Sequence, residues 1–138
     1  MKNYKILAEF VKDASSETKD IQTYLFVKDY ISKYQLTIDI NSRPTKNKLI
    51  EVITTLKFED KEDNEKKSYF ELVYVSIVKL EESITEKKEA EKIILCDVQK
   101  EIQPNIEKAF TDLINNSGFK QVNVKNIDFE KLYNSKFN

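Results

Sequence analysis

The hydrophobic pattern divides this chain into an alternating half and a helical half. Residues 36–41 and 50–58 alternate apolar and polar side chains, which is typical of strands with one face against a core. Tyr69–Leu80 is instead apolar on both faces, because its side chains form two sets: Tyr69, Val73, Val75 and Ile77 on one side, and Phe70, Leu72, Tyr74, Val78 and Leu80 on the other. Two amphipathic helices cover one side of a small sheet. The pattern therefore predicts that a second subunit or an apolar ligand meets the other side.

Polar segments between the predicted strands indicate the loops and turns that connect them. Residues 4–11 predict a first strand, and the polar residues 13–20 predict a surface loop after it. Residues 21–34 fit either one turn of helix or an irregular extended segment, so they stay unassigned. A turn is predicted within residues 41–47, which contain a proline. The charged residues 59–67 predict a solvated hairpin tip, since they are too polar to be buried.

Beyond Leu80 the apolar spacing changes from two residues to three and four, which predicts a helix. Ser83 and Glu86 have the spacing of a capping box at its start. The apolar stripe of this helix consists of Ala90, Ile93, Ile94, Leu95, Val98 and Ile102.

A second amphipathic helix is predicted to carry Pro104 in its first turn and to end at Gly118 in a left-handed conformation. An extended segment at residues 121–124 and a short last helix capped by Asp128 follow it. Strands followed by helices with hairpin-length links indicate an α+β fold, a four-stranded antiparallel sheet with the C-terminal helices packed on it. Residues 1–138 form a single domain in this prediction, and the simplest strand order is a meander with the first strand at an edge.

Composition excludes several classes of function. The chain has 23 Lys and Arg against 24 Asp and Glu, and Arg43 is its only arginine, so no basic surface suited to nucleic acid is expected. It has no histidine, which excludes His-dependent catalysis and His-containing metal sites. Its single glycine excludes glycine-rich phosphate loops. We therefore expect no catalytic residue, no metal and no cofactor, and we expect a binding protein before an enzyme.

The single cysteine, Cys96, lies in an apolar stretch and is interpreted as a buried hydrophobe in a reducing compartment. No run of signal-peptide or membrane-spanning length is present, so we expect a cytoplasmic protein that does not insert into membranes.

Several short strings stand in a defined order along the chain: FVKDASSE at 10–17, LTIDIN at 36–41, IEVITTL at 50–56, YFE through IVKL at 69–80, QPNI at 103–106, SGF at 117–119, VNV at 122–124 and NIDFEKL at 126–132. In this order and spacing they resemble the SecB family of protein-export chaperones. The resemblance implies a four-stranded antiparallel sheet with helices on it, assembled as a dimer of dimers, with no cofactor and no reaction catalysed. It also implies ATP-independent holding of unfolded or precursor polypeptides in apolar grooves and delivery to the SecA motor.

The resemblance assigns roles to three sets of residues: Asp13, Glu17, Tyr69 and Glu71 to a SecA-contacting acidic surface, Ile38 and Ile40 to the peptide groove, and Ile93, Ile94 and Val98 to the tetramer interface. Each set has an alternative interpretation from sequence alone. The isoleucines of 36–41 also fit an ordinary core strand, the two acidic residues of 13–17 fit a solvated loop, and the helical stripe fits an intramolecular core.

The chain departs from the family pattern at three places. The family's Pro-Asn-Ala-Pro loop is replaced by residues 18–21, its glycine pair in the fourth strand by Val75 and Ser76, and its acidic C-terminal tail is missing after Asn138. These departures bear on SecA coupling more than on an apolar groove. Two other functions remain open: a SecB-like chaperone dedicated to an antitoxin or another single client, and an apolar small-molecule binding protein. An enzymatic function would have to rely on carboxylates alone, such as Glu71 with Asp39.

Overall fold

The structure is a computed structural model and describes residues 3–120 and 122. Its elements are β1 (Tyr4–Glu17), α1 (Ile21–Tyr30), a 3-10 turn (Ile31–Lys33), β2 (Gln35–Pro44), β3 (Ile50–Glu59), β4 (Tyr69–Leu80), α2 (Lys87–Lys92), a π-helical turn (Ile93–Val98) and α3 (Gln99–Asn116). The short helix predicted at Asp128, and the extended segment predicted for 121–124 apart from Val122, lie outside the described residues.

The four strands form one antiparallel sheet in the order β1-β4-β3-β2. The α+β class and the edge position of the first strand are confirmed. The simple meander is wrong in one respect, because β1 pairs with β4 and not with β2. Strand β4 is therefore an inner strand with a neighbour on each side.

The loop predicted over residues 13–20 is wrong for its first five residues. Asp13 to Glu17 continue β1, and each pairs with a residue of β4, ending at Glu17 opposite Tyr69. Their side chains are all exposed, so backbone hydrogen bonds to β4 hold this segment and apolar burial does not. Sequence periodicity misses such a segment, because it reports side-chain burial and an edge strand can be exposed on both faces.

The described helices pack on one face of the sheet. Phe58 of β3 and Phe70 of β4 lie opposite each other. The ring centroid of Phe58 is 6.4 Å from that of Phe110 in α3, and the ring centroid of Phe70 is 5.6 Å from that of Phe119. Tyr34, which follows the 3-10 turn, packs against Phe58 at 5.5 Å. This aromatic cluster fixes the helices over one end of the sheet.

The two helices predicted after Leu80 are one. Helical backbone runs from Lys87 to Asn116 without a break, and Pro104 lies inside it and not in a first turn. The capping box is also wrong, because the helix begins after Glu86 with no side-chain cap. A proline inside a helix costs about 3 kcal/mol. The apolar side chains that α3 buries more than offset this cost, because full burial of each contributes about 1.5–3 kcal/mol. The fully buried apolar residues of α3 are Ile102, Ile106, Phe110 and Ile114.

The predicted helix end at Gly118 is confirmed. Gly118 has a φ of 103°, and its N–H donates to the carbonyl of Asn115. The N–H of Phe119 donates to the carbonyl of Ile114, and both of these side chains are fully buried. This is a Schellman motif with its hydrophobic contact.

Candidate binding surfaces

One face of the sheet carries no described helix. On β4 the side chains of Glu71, Val73 and Ile77 are half-buried on this open face, and Tyr69 is 55% exposed. Val75 is fully buried, because its cross-strand neighbours Phe10 of β1 and Ile53 of β3 flank it. The open face therefore has an apolar centre.

The four residues predicted to form an acidic contact surface lie together at one end of the open face. Glu17 is opposite Tyr69, Ser15 is opposite Glu71, and Asp13 is opposite Val73, so three successive cross-strand pairs hold the set. Directly opposed residues share a face of an antiparallel sheet, which places all four side chains on the same side.

A concavity of about 400 Å³ lies at this end, and we call it the acidic concavity. Its lining consists of Ser15, Ser16, Glu17, Lys57, Glu59, Tyr69, Phe70 and Glu71. Three of the four predicted residues line it, whereas Asp13 lies beside it on β1. Lys57 and Glu59 were not predicted from the sequence. The alternation of residues 50–58 could have found Lys57, since it places that residue on the polar side of β3.

Lysines offset part of this negative charge. Lys57 Nζ lies 3.8 Å from Glu71 Oε2, and Lys61 Nζ lies 2.9 Å from Glu59 Oε2. Asp13 accepts a hydrogen bond of 2.7 Å from the Ser15 hydroxyl. Glu17 has no ion pair with a described residue and is exposed. It is therefore the carboxylate of this surface whose charge is least compensated locally.

The two predicted groove residues lie on the other face of the sheet. Ile38 is opposite Leu56 and Ile40 is opposite Thr54, both on the helix-facing side of β2. Ile40 is 8% exposed and belongs to the core, whereas Ile38 is half-buried and packs against its margin. Their binding of peptide stays a prediction.

The three residues predicted at a subunit interface are buried within the single chain. Ile93, Ile94 and Val98 are 3%, 4% and 0% exposed, and all three lie in the π-helical turn. The intramolecular-core alternative accounts for this burial without a second subunit. Their role at an interface stays a prediction.

Helix α1 presents apolar side chains to solvent. Thr23 and Val27 face the core, while Ile21 and Leu25 are 66% and 55% exposed. Asp20 is the N-cap of this helix, and its Oδ1 accepts a hydrogen bond of 2.8 Å from the Thr23 N–H. Hydrogen bonds from Thr23 lower the pKa of the Asp20 carboxyl. Apolar residues on two sides of this helix are the reason that residues 21–34 could not be assigned from sequence periodicity.

Two tyrosines join α3 to the sheet. The Tyr4 hydroxyl lies 2.9 Å from Glu101 Oε1, and burial together with this carboxylate raises the pKa of Tyr4 to about 12. The Tyr74 hydroxyl donates to Glu9 Oε1 at 2.8 Å, and the same oxygen accepts a hydrogen bond from Asn105 Nδ2 at 2.9 Å. Burial and the Glu9 hydrogen bond raise the pKa of Tyr74. These bonds connect β1, β4 and α3.

Within residues 3–120 and 122, no helix is both long enough and apolar enough to cross a membrane.

Comparison with known proteins gives the family. The sequence model described as "Preprotein translocase subunit SecB" matches residues 1–138. A protein of Pelagibacter ubique (strain HTCC1062) assigned to protein export as SecB is 52% identical over 137 residues, covering 99% of this chain and 98% of that protein. A SecB-like chaperone of Mycobacterium tuberculosis, solved with a peptide from the HigA1 antitoxin, has a TM-score of 0.66 at 7% identity and 91% coverage of both chains. The chain belongs to the SecB family of protein-export chaperones.

Proposed function

We propose that this SecB-family chaperone holds non-native polypeptides by covering their apolar side chains, without nucleotide, before export. The observation that carries the proposal is its exposed apolar surface. In a chain with 34% charged residues, the described part exposes these large apolar side chains: Leu7, Phe10, Val11, Ile21, Leu25, Phe26 and Tyr69. Full burial of such a side chain contributes about 1.5–3 kcal/mol. Binding only the unfolded client shifts it away from folding by mass action, so no ATP is needed.

We assign client contact to Ile38 and Ile40 on β2. The support is positional, because β2 is the outermost strand on its side of the sheet and Ile38 is only half-buried. Ile40 lies deeper and contributes to the floor below it. An apolar client side chain seated beside Ile38 would extend the core outward.

Delayed refolding of unfolded clients tests the proposal. At stoichiometric amounts and without ATP, the protein should slow refolding or aggregation of several unrelated clients. Ile38→Ser should weaken this effect, whereas Thr37→Ser, at the neighbouring position on the opposite face, should not. If no client is affected by the wild-type protein, the holdase proposal fails.

We further propose that the acidic concavity contacts the SecA motor. Its support is the grouping of Glu17, Tyr69 and Glu71 on one exposed surface. Binding to SecA, measured by isothermal titration calorimetry, should weaken in Glu17→Gln and Glu71→Gln and weaken further with added salt. Glu65→Gln is the matched control, since it removes the same charge from the hairpin tip. Equal affinities for all three variants would contradict this assignment.

We propose a homotetramer, a dimer of dimers, as the working assembly. The support is the edge strand β1, whose residues 7–17 are all exposed and which has no neighbouring strand on one side among the described residues. Ile93, Ile94 and Val98 would reach an interface only if the π-helical turn rearranged. Sedimentation should give four times the 16.3 kDa chain mass. A monodisperse monomer would contradict the assembly.

Two further measurements distinguish two other functions. The M. tuberculosis chaperone was solved with an antitoxin peptide, and selective capture of one partner would favour such a dedicated role here. Native mass spectrometry showing a retained lipid and no peptide binding would favour an apolar small-molecule binder. We place the protein in the cytoplasm, where a single buried Cys96 stays reduced and precursors await export.

A further inference from the structure

One large apolar side chain is exposed at the centre of the open face, beside the acidic concavity. Phe10 of β1 is 47% exposed and lies opposite Val75 of β4, which is fully buried. On the other side of Val75, Ile53 of β3 is half-buried. Phe10 is therefore the apolar group at this centre that has most of its surface left to bury.

Phe10 continues the surface that carries the acidic residues. Four successive cross-strand pairs of β1 and β4 share the open face: Phe10–Val75, Asp13–Val73, Ser15–Glu71 and Glu17–Tyr69. Lys12 lies at the irregularity between the first two pairs, and this extra residue keeps Phe10 and Asp13 on one face despite their odd spacing. Four residues of strand separate Glu71 from Val75, a distance of about 13 Å. An extended segment of a partner protein spans that distance with side chains four residues apart.

Charge alone would hold a partner weakly on this surface. An exposed ion pair strengthens binding by at most about five-fold, so three such pairs give about a hundred-fold and leave the dissociation constant near about 10 mM. Lysines of the same chain also offset two of the carboxylates, Glu59 and Glu71. Affinity at protein interfaces comes instead from a few side chains that become fully buried within a polar rim. The acidic residues form such a rim, and Phe10 is the exposed apolar group next to it.

We infer that Phe10 is the apolar contact that gives affinity to the partner docked on the acidic concavity, while the carboxylates orient that partner. The inference rests on the proposed SecA contact and adds a residue to it. Its occupant is a segment of SecA that places a basic side chain near Glu71 and an apolar side chain against Phe10, with four residues between them where the segment is extended. Continuity with the acidic concavity and complementary charge favour this occupant over a client. The other exposed apolar side chains stay with clients.

Isothermal titration calorimetry with purified SecA tests Phe10 directly. About half of its side chain remains to be buried, so Phe10→Ser should raise the dissociation constant about three- to ten-fold at low and at high salt. Phe10→Leu keeps an apolar side chain and should bind like the wild type. Val11→Ser is the matched control, because Val11 is 45% exposed and lies opposite Tyr74 on the helix-facing side; it should leave the constant unchanged. The effect of Glu17→Gln should disappear at high salt, which separates the two kinds of contact.

Two further measurements keep the test independent of folding defects. Circular dichroism and sedimentation should give each variant the fold and mass of the wild type, and Phe10→Thr, which preserves strand propensity, replaces Phe10→Ser where the serine variant fails to fold. The heat capacity of binding needs no variant, because burial of an apolar contact makes its change negative. A change near zero for the wild type would overturn the inference.

The variants also separate this inference from the proposals on which it rests. Binding of SecA by Phe10→Ser at wild-type affinity, together with weaker binding by Glu17→Gln, would overturn the role of Phe10 and leave the SecA contact standing. Weaker client holding by Phe10→Ser with unchanged SecA binding would also overturn it, and would assign Phe10 to clients. Wild-type affinity for SecA in both variants would overturn the SecA contact as well.

Discussion

A buried amide under the helix offers the sharpest test of how α3 is held on the sheet. Gln99 is fully buried, and its Nε2 donates to the Thr54 hydroxyl at 2.9 Å. Its Oε1 is buried without a partner among the described residues, as is Ser76 Oγ. The site thus combines one hydrogen bond, worth about 1 kcal/mol net, with an unsatisfied carbonyl oxygen that costs about 1–3 kcal/mol.

Substitutions at the two positions should have effects of different sign. Thr54→Val removes the acceptor, leaves Nε2 unpaired as well, and should destabilise the fold by about 1–3 kcal/mol. Gln99→Met with Thr54→Val removes every unpaired atom of this pair at nearly constant volume. Because the relief of about 1–3 kcal/mol exceeds the lost bond of about 1 kcal/mol, the double variant should be about 1 kcal/mol more stable than wild type.

Urea unfolding followed by circular dichroism measures these free energies, with Gln22→Met, an exposed amide on α1, as the control expected within about 0.5 kcal/mol of wild type. The m-value should stay constant across the set. A Thr54→Val protein as stable as wild type, together with a double variant that is less stable, would show that Gln99 Oε1 is satisfied and that the reasoning is wrong.

Three further changes test the helix and its ends. Gly118→Ala should destabilise the folded protein by more than about 1 kcal/mol in thermal unfolding, because the φ of this residue is 103° and the new Cβ would lie 2.8 Å from Tyr24 Cε1. Ser117→Ala, at the neighbouring helix-cap position, introduces no such clash and should cost less. Pro104→Ala should stabilise by about 1–3 kcal/mol, and an unchanged urea midpoint would contradict the interior placement of this proline. Alkaline titration should lower stability above pH 10, the ordinary pKa of tyrosine, because folding raises the pKa of Tyr4 to about 12 and also raises the pKa of Tyr74, so that the unfolded chain loses these protons first. Tyr4→Phe should make this fall shallower without abolishing it.

Sequence patterns predicted the elements whose side chains are buried with a regular period. The alternation of β3 and the double apolar face of β4 gave both strands, and the spacing from Ile102 to Ile114 gave the buried face of α3. The patterns failed where burial is absent or two-sided. The end of β1 is polar and held by backbone bonds, and α1 has apolar residues on both its buried and its exposed sides.

The candidate site shows the same division. Asp13, Glu17, Tyr69 and Glu71 could be grouped only through the family resemblance, because they come from two strands whose pairing no local pattern reveals. The alternation of residues 50–58 places Lys57 on the polar side of β3, but only the β3–β4 register sets it opposite Glu71. Pairing partners and strand order are nonlocal, and composition carries no signal for them.

The departures from the family pattern have local structural consequences. Asp20, in the segment that replaces the Pro-Asn-Ala-Pro loop, caps α1 through Thr23, and prolines in that segment would remove backbone donors. Val75, at the position of a family glycine, fills the centre of the open face beside Phe10. Both changes replace flexible or donor-poor backbone with regular structure.

Glu71 already has a partner in Lys57 of β3, and the energy of that pair decides whether it conflicts with the proposed SecA contact. An exposed ion pair contributes only about 0.2–1 kcal/mol, since both charges keep most of their hydration. Lys57 would therefore yield at small cost to a basic side chain of a docking partner, because its pair with Glu71 is exposed and spans 3.8 Å.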